Sequence, residues 1–233
     1  MPVEFLTAGQ RADHGRYVGE PGAADLARCF HLDDADLQRL AGKRGGASRL
    51  GFALQLTTIR FLGRFPDENM EVPASVLDFL RRQLDLSSTE GLREYWGQRQ
   101  RFRHMEEISR IYDYREITIP AVGFRLSRWL YAQCWTGADQ LLVLFERAVS
   151  WMLVHKVLLP GASRLERFVA RRFRRNPAVH LNLQKSPSSS KRAHCMGDFP
   201  VETRLNAIFS VFPHLPYPPI SGVADGFPVS RTP

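Results

Sequence analysis

The chain is short of cysteine, of lysine and of long apolar runs, and each shortage excludes something. Three cysteines, Cys29, Cys134 and Cys195, occur in 233 residues. An odd number, widely spaced and without a Cys-x-x-Cys pair, supports neither a disulfide framework nor a cysteine-built zinc site, and it fits a reducing cytoplasm. The longest apolar stretch, Ala148 to Leu159, is broken by His155 and Lys156 and is too short to cross a bilayer. The opening Met1-Pro2-Val3-Glu4-Phe5 brings an acid early and lacks the cationic start and apolar centre of a signal peptide. The reading is a soluble, cytoplasmic chain with no membrane partner. No segment alternates apolar and polar residues over the length of a strand.

The shortage of lysine has a counterpart. Only Lys43, Lys156, Lys185 and Lys191 are lysines, against 28 arginines, and the formal net charge is +8. Arginine's planar fork matches phosphate oxygens and guanine edges in pairs. A GC-rich genome produces the same bias, so richness in arginine does not by itself assign a function.

The chain changes character near Asn176. Nine of its 15 prolines lie beyond that point, with Lys185-Ser186-Pro187-Ser188-Ser189-Ser190-Lys191 and Phe212-Pro213-His214-Leu215-Pro216-Tyr217-Pro218-Pro219. Neither helix nor strand periodicity survives there, and residues 176–233 read as an irregular or disordered tail. Its phenylalanines are unlike a linker, and a shifted reading frame is one explanation.

Upstream, apolar residues recur at helical spacing. Ala24 to Phe30 puts Leu26, Ala27 and Phe30 on one face; Asp33 and Asp34 then supply an N-cap and a first-turn acid for a helix carrying Leu37, Leu40 and Ala41. Gly42 to Gly46 predicts a loop. Ser48 or Arg49 opens a helix that is apolar nearly all round, and Gly63 ends it. In the next group, Pro73 starts a helix, Ser87 or Ser88 caps a short one with Leu92, Tyr95 and Trp96, and Gly97 makes a corner. From Gln98 to Tyr112, the residues Phe102, Met105, Ile108 and Tyr112 form one apolar stripe. A third group comprises Val122 to Trp135, Ala138 to Leu158, and Ser163 to about Arg174. The expected fold is therefore all-α, with successive three-helix groups over residues 1–66, 67–116 and 117–175. The first two resemble helix-turn-helix modules, although neutral three-helix bundles share the pattern.

Catalytic and metal motifs are missing. Asp33, Asp34 and Asp36 suit a helix N-terminus better than an acid–base pair. His104-Met105-Glu106-Glu107 lacks the second histidine of a zinc protease, and Ala41-Gly42-Lys43-Arg44-Gly45-Gly46 lacks the spacer and hydroxyl of a P-loop. No catalytic residue, metal ligand or cofactor site is expected. Basic clusters remain. Lys43, Arg44 and Arg49 bracket the loop before the third helix, where backbone N–H groups would face a phosphate. Arg99, Arg101, Arg103, His104 and Arg110 lie on or beside the Gln98 to Tyr112 helix, off its apolar stripe, and mark it as the candidate to enter a major groove. A solvated helix face has the same composition. Arg164 to Arg175 could track a DNA backbone, lie on an acidic membrane or simply be solvent-exposed.

Several ordered motifs carry a resemblance. Arg49-Leu50-Gly51-Phe52-Ala53-Leu54-Gln55-Leu56 with Arg60-Phe61-Leu62-Gly63, then His104 with Glu107-Ile108 to Arg115, Phe124-Arg125-Leu126-Ser127-Arg128-Trp129-Leu130-Tyr131, and Lys156-Val157-Leu158-Leu159-Pro160-Gly161, resemble the N-terminal region of the bacterial Tn-three family of replicative transposases. The opening Pro2 to Thr7 and Phe30 to Asp36 agree, so the likeness covers residues 1 to 175. Asp113, where the pattern calls for glycine, and Pro66-Asp67-Glu68-Asn69 depart from it. The resemblance implies a helical region that binds double-stranded DNA at transposon terminal inverted repeats. It also implies that the ribonuclease-H-like domain, with its Asp-Asp-Glu triad and two magnesium ions, is missing, since the tail offers only Asp198, Glu202 and Asp225. The expectation is a non-catalytic DNA-binding fragment, truncated or frameshifted after about residue 176. A fragment that pairs with full-length transposase, or a decayed product without function, are the other readings.

Overall fold

Short-range signals set most helix boundaries. In the computed structural model, which describes residues 4–136 and 141–174, Thr7 opens α1 (Ala8–Asp13) through a capping box closed by Gln10. The expected tail lies outside the described residues. Next come α2 (Ala23–Cys29) and α3 (Asp34–Ala41), the latter capped by Asp33 as its sequence predicts. α4 (Gly46–Leu62) starts earlier than Ser48, because Gly45 makes the entry turn at φ 82°; Gly63 ends it in the left-handed region at φ 70°. α5 (Ala74–Gln83) follows Pro73, whereas α6 (Leu92–Gly97) starts after Gly91 rather than at Ser87 or Ser88. Ser88 instead accepts the Glu90 N–H in a local turn. α7 (Gln100–Ile111), α8 (Pro120–Thr136), α9 (Leu141–Val154) and α10 (Ala162–Arg174) complete the helices among the described residues.

The fold is mostly helical, as expected, with one addition. The helix expected to reach Leu158 stops at Val154, Lys156 turns at φ 51°, and β2 (Val157–Leu158) pairs in parallel with β1 (Arg115–Glu116). Two residues are too few to show alternation. Both departures from the family pattern are local turns: Asp113 adopts φ 59°, a conformation aspartate tolerates better than most residues, and Arg115 pairs with its carboxylate at 2.9 Å. Asp67 closes the other through its Oδ1, which accepts the Asn69 N–H at 3.1 Å.

Two apolar clusters hold the chain together. The first surrounds α4, where every residue from Gly51 to Ile59 is buried; α2, α3, α5, α6 and α7 all lie against it. Phe30, Leu40, Phe52, Leu56, Val76, Leu80 and Ile108 fill the space between them. Burial stabilises by about 1.5–3 kcal/mol for each large side chain in such a cluster. The second joins α8, α9 and α10 through Leu126, Leu130, Leu144, Met152, Leu165 and Val169, with Leu6 from the start of the chain. Gly63 stitches the two. Its carbonyl accepts the Leu159 N–H at 2.8 Å, and any side chain there would strike Leu153 and Leu159.

Two buried carboxylates close the fold at long range. Asp36, 1 % exposed, caps α3 with Asp33, accepts Arg60 of α4 at 2.9 Å and accepts the Tyr112 hydroxyl at 2.5 Å. It ties α3, α4 and the end of α7 to one point. Glu166 of α10 accepts the backbone N–H groups of Phe5 at 2.5 Å and Leu6 at 2.9 Å, and Arg11 at 3.3 Å. Burial pushes the Glu166 carboxyl up, but the two backbone donors and Arg11 outweigh it and hold the group below its ordinary value.

Asp36→Ala should cost about 3 kcal/mol in urea unfolding, since Arg60 and Tyr112 would lose their shared acceptor. A Cβ at Gly51 would fall 2.5 Å from Cδ1 of the Tyr95 ring, so Gly51→Ala should destabilise by about 1–3 kcal/mol in the same assay, with the slope against urea unchanged.

Candidate nucleic-acid interface

α6 and α7 form a helix corner with Gln98 and Arg99 between them, and both rest on α4. Tyr95, 1 % exposed, anchors α6, while Gln55 of α4 donates from Nε2 to the Arg101 carbonyl at 3.2 Å and fixes the first turn of α7. This is the second helix of the corner, and it presents one long face away from the core.

The basic residues expected to bind DNA divide into two groups. Lys43 and Arg101 are engaged within the fold. Lys43 Nζ lies 2.5 Å from Glu107 and 4.6 Å over the Phe52 ring, and Arg101 lies 2.5 Å from Glu68. The Lys43–Glu107 bridge has a geometric consequence. It holds the loop before α4 against α7, beside Arg103 and Arg110, which stand one turn to either side of Glu107. Arg44 on that loop, Arg99 at the N-cap of α7, Arg103 and Arg110 are exposed, and Arg49 is half-buried in the first turn of α4. None of these five has an acidic partner among the described residues. Two clusters some sixty residues apart in the chain are thereby brought together.

His104 does not belong to that face. It is 3 % exposed, with Nδ1 at 2.8 Å from the Tyr95 hydroxyl and Nε2 at 3.4 Å from the Gln100 side-chain nitrogen. With that amide donating, the ring proton sits on Nδ1 and bonds the Tyr95 oxygen. Burial, helped by nearby Lys43 and opposed by Glu107, holds its pKa down to about 4, so the ring is neutral at pH 7. Phe102, which the stripe at helical spacing places inside, is instead 51 % exposed. α7 is rotated relative to that stripe, because Ile108 and His104 are the residues that meet α4 and α6. Glu106 joins Phe102 on the outside.

Among the described residues, no group of three or more His, Cys, Asp or Glu side chains stands close enough to hold a metal ion. No described helix is long and apolar enough to cross a membrane.

A protein-family model, a domain of unknown function designated DUF4158, matches residues 5–172. The chain belongs to the DUF4158 family. This DUF4158 chain is 39 % identical over 198 residues to the transposase for transposon gamma-delta of Escherichia coli K12, a match covering 84 % of the chain and 20 % of that relative. It is 26 % identical over 147 residues to the transposase for transposon Tn1546 of Enterococcus faecium, and 29 % identical over 145 residues to the transposase for transposon Tn21 of Escherichia coli. These cover 62 % and 61 % of the chain and 14 % of each relative. Homology to the Tn-three transposases, which the motifs imply, therefore holds over the N-terminal region. The DUF4158 chain spans a fifth or less of the length of these curated relatives. A 198-residue match is longer than the stretch before Asn176, so the likeness to the gamma-delta enzyme runs on past the boundary set by composition.

The neutral His104 makes stability pH-dependent. Below its ordinary pKa of 6.5 the unfolded chain takes up a proton that the folded ring refuses. Stability from this group is essentially complete above pH 6.5 and is lost as pH falls to 4, a loss of about 3 kcal/mol. Urea midpoints measured from pH 7.5 to 4.5 should fall accordingly, and His104→Gln should flatten that part of the curve.

Proposed function

We propose that this chain is a DNA-binding fragment of a transposase, recognising transposon terminal inverted repeats without cutting them. The observation that carries the reading is the convergence of Arg44, Arg99, Arg103 and Arg110, unpaired and exposed, on the α7 face and the loop pinned to it by Lys43–Glu107. Unpaired guanidinium groups on one surface attract phosphates and release counterions on binding. A helix held as the second of a corner is the geometry by which helix-turn-helix proteins enter a major groove. The names of the relatives support the context, since each is a transposase for a named transposon. Strand cleavage belongs, in this reading, to the larger part of those relatives that the chain does not match. Residues 1–66 and 67–116 then act jointly on DNA, with 117–175 as their support, in the bacterial cytoplasm.

Pairing with full-length transposase is the rival. It rests on the many apolar residues of the helix after Thr136, of which Leu144, Phe145, Ala148, Trp151 and Met152 of α9 are buried in the second cluster. Val154 at its end is 49 % exposed.

The test is fluorescence anisotropy with the full chain on a duplex carrying the terminal repeat of transposon gamma-delta, on a scrambled duplex, and on sequences enriched from a randomised duplex pool. Affinity should fall steeply with salt on all of them, with a preference for the repeat or the enriched sequence persisting at physiological salt. Arg103→Ala should weaken the preferred duplex by about 1–3 kcal/mol and relax the preference. Equal binding to every duplex would reject sequence recognition.

A further inference from the structure

Phe102 is the odd residue of the α7 face. A surface that only tracks phosphates has no use for a bare aromatic ring, and still less for a carboxylate, yet both Phe102 and Glu106 stand on the outer side between Arg99, Arg103 and Arg110. Base edges in a major groove offer a partner to each of these side chains. Guanine takes arginine in a bidentate pair, cytosine's amino group donates to a carboxylate, and the thymine 5-methyl group takes an apolar contact. The composition of the face is that of a helix that reads sequence.

The ring is also held ready. The Arg101 guanidinium carbon lies 4.5 Å from the Phe102 ring centroid, and that guanidinium is itself held by Glu68 at 2.5 Å. Gln55 fixes the backbone of the same turn from below. An exposed side chain already confined loses little freedom on binding. Phe102 lies in the first turn of α7, the part of a recognition helix that comes closest to base edges.

We propose that Phe102 is a specificity-determining residue that packs against a thymine 5-methyl group in the major groove; this rests on the DNA-binding reading above. The competing use of the ring is a protein contact, since it borders a groove of about 440 Å³ lined also by Phe65, Met105, Leu158 and Leu159. Two observations favour DNA: the unpaired Arg99 and Arg103 that flank the ring, and its place at the leading end of the helix.

The test replaces each thymine of the preferred duplex in turn by deoxyuridine, which deletes only the methyl group, and measures affinity of the full chain and of Phe102→Ala. The expected result is one or two positions where the unaltered chain loses about fourfold, the weight of one buried methyl group, and where Phe102→Ala binds both duplexes alike. Phe102→Leu, which keeps an apolar tip, should retain part of the discrimination. The salt slope should be the same for Phe102→Ala as for the unaltered chain, because no phosphate contact is lost, whereas Arg103→Ala changes it if Arg103 meets a phosphate. Insensitivity of the unaltered chain to every deoxyuridine, or an equal sensitivity in Phe102→Ala, overturns the proposal and turns the ring toward a protein partner. A chain that prefers no duplex at all rejects the DNA reading itself, a result distinguishable from a flat deoxyuridine scan on a sequence that is bound with preference.

Discussion

A helix buried along nine consecutive residues must be surrounded, and leaving its polar groups without partners inside is costly. α4 imposes that demand on the rest of the fold. Thr57 donates back to the Ala53 carbonyl at 2.9 Å, Thr58 meets the Tyr17 hydroxyl at 2.6 Å, and Gln55 reaches the Arg101 carbonyl. The last of these is the one with functional weight, because the Gln55 amide nitrogen, donating there, fixes the leading turn of the helix that faces outward. Packing and presentation are the same interaction at this point.

Charge is sorted by the same logic. Arg60 and Arg101 are matched to acids, one buried at Asp36 and one exposed at Glu68, and Lys43 is matched to Glu107. Arg44, Arg99, Arg103 and Arg110, without acids among the described residues, stand on one side of α7 and its neighbouring loop, while Arg82, Arg93, Arg125, Arg128, Arg164 and Arg167 are exposed on other helices.

Signals that act over a few residues were readable directly. Asp33 as a cap, Gly63 as a helix end and the all-round burial of α4 follow from residue type and spacing alone. The rotation of α7 did not, because Met105, Ile108 and Tyr112 fit a stripe centred on either Phe102 or His104. Only the position of Tyr95, nine residues before His104, decides between them. The strands β1 and β2 are too short for periodicity to register, and their pairing joins residues some forty apart. Of the candidate site, the identity of the helix and most of its arginines were legible. The withdrawal of Lys43 and Arg101 into ion pairs was not, since Glu107 and Glu68 are distant in sequence.

The Glu166 clamp sets an order of events during synthesis. Phe5 and Leu6 leave the ribosome some 160 residues before the carboxylate that receives their N–H groups. At about 5–20 residues per second this is a wait on the order of ten seconds or more. The helices around α4 can assemble in that interval, whereas the head of the chain stays untied until α10 is made. The Phe5–Leu6 segment is therefore closed only after the helices around α4 have been made.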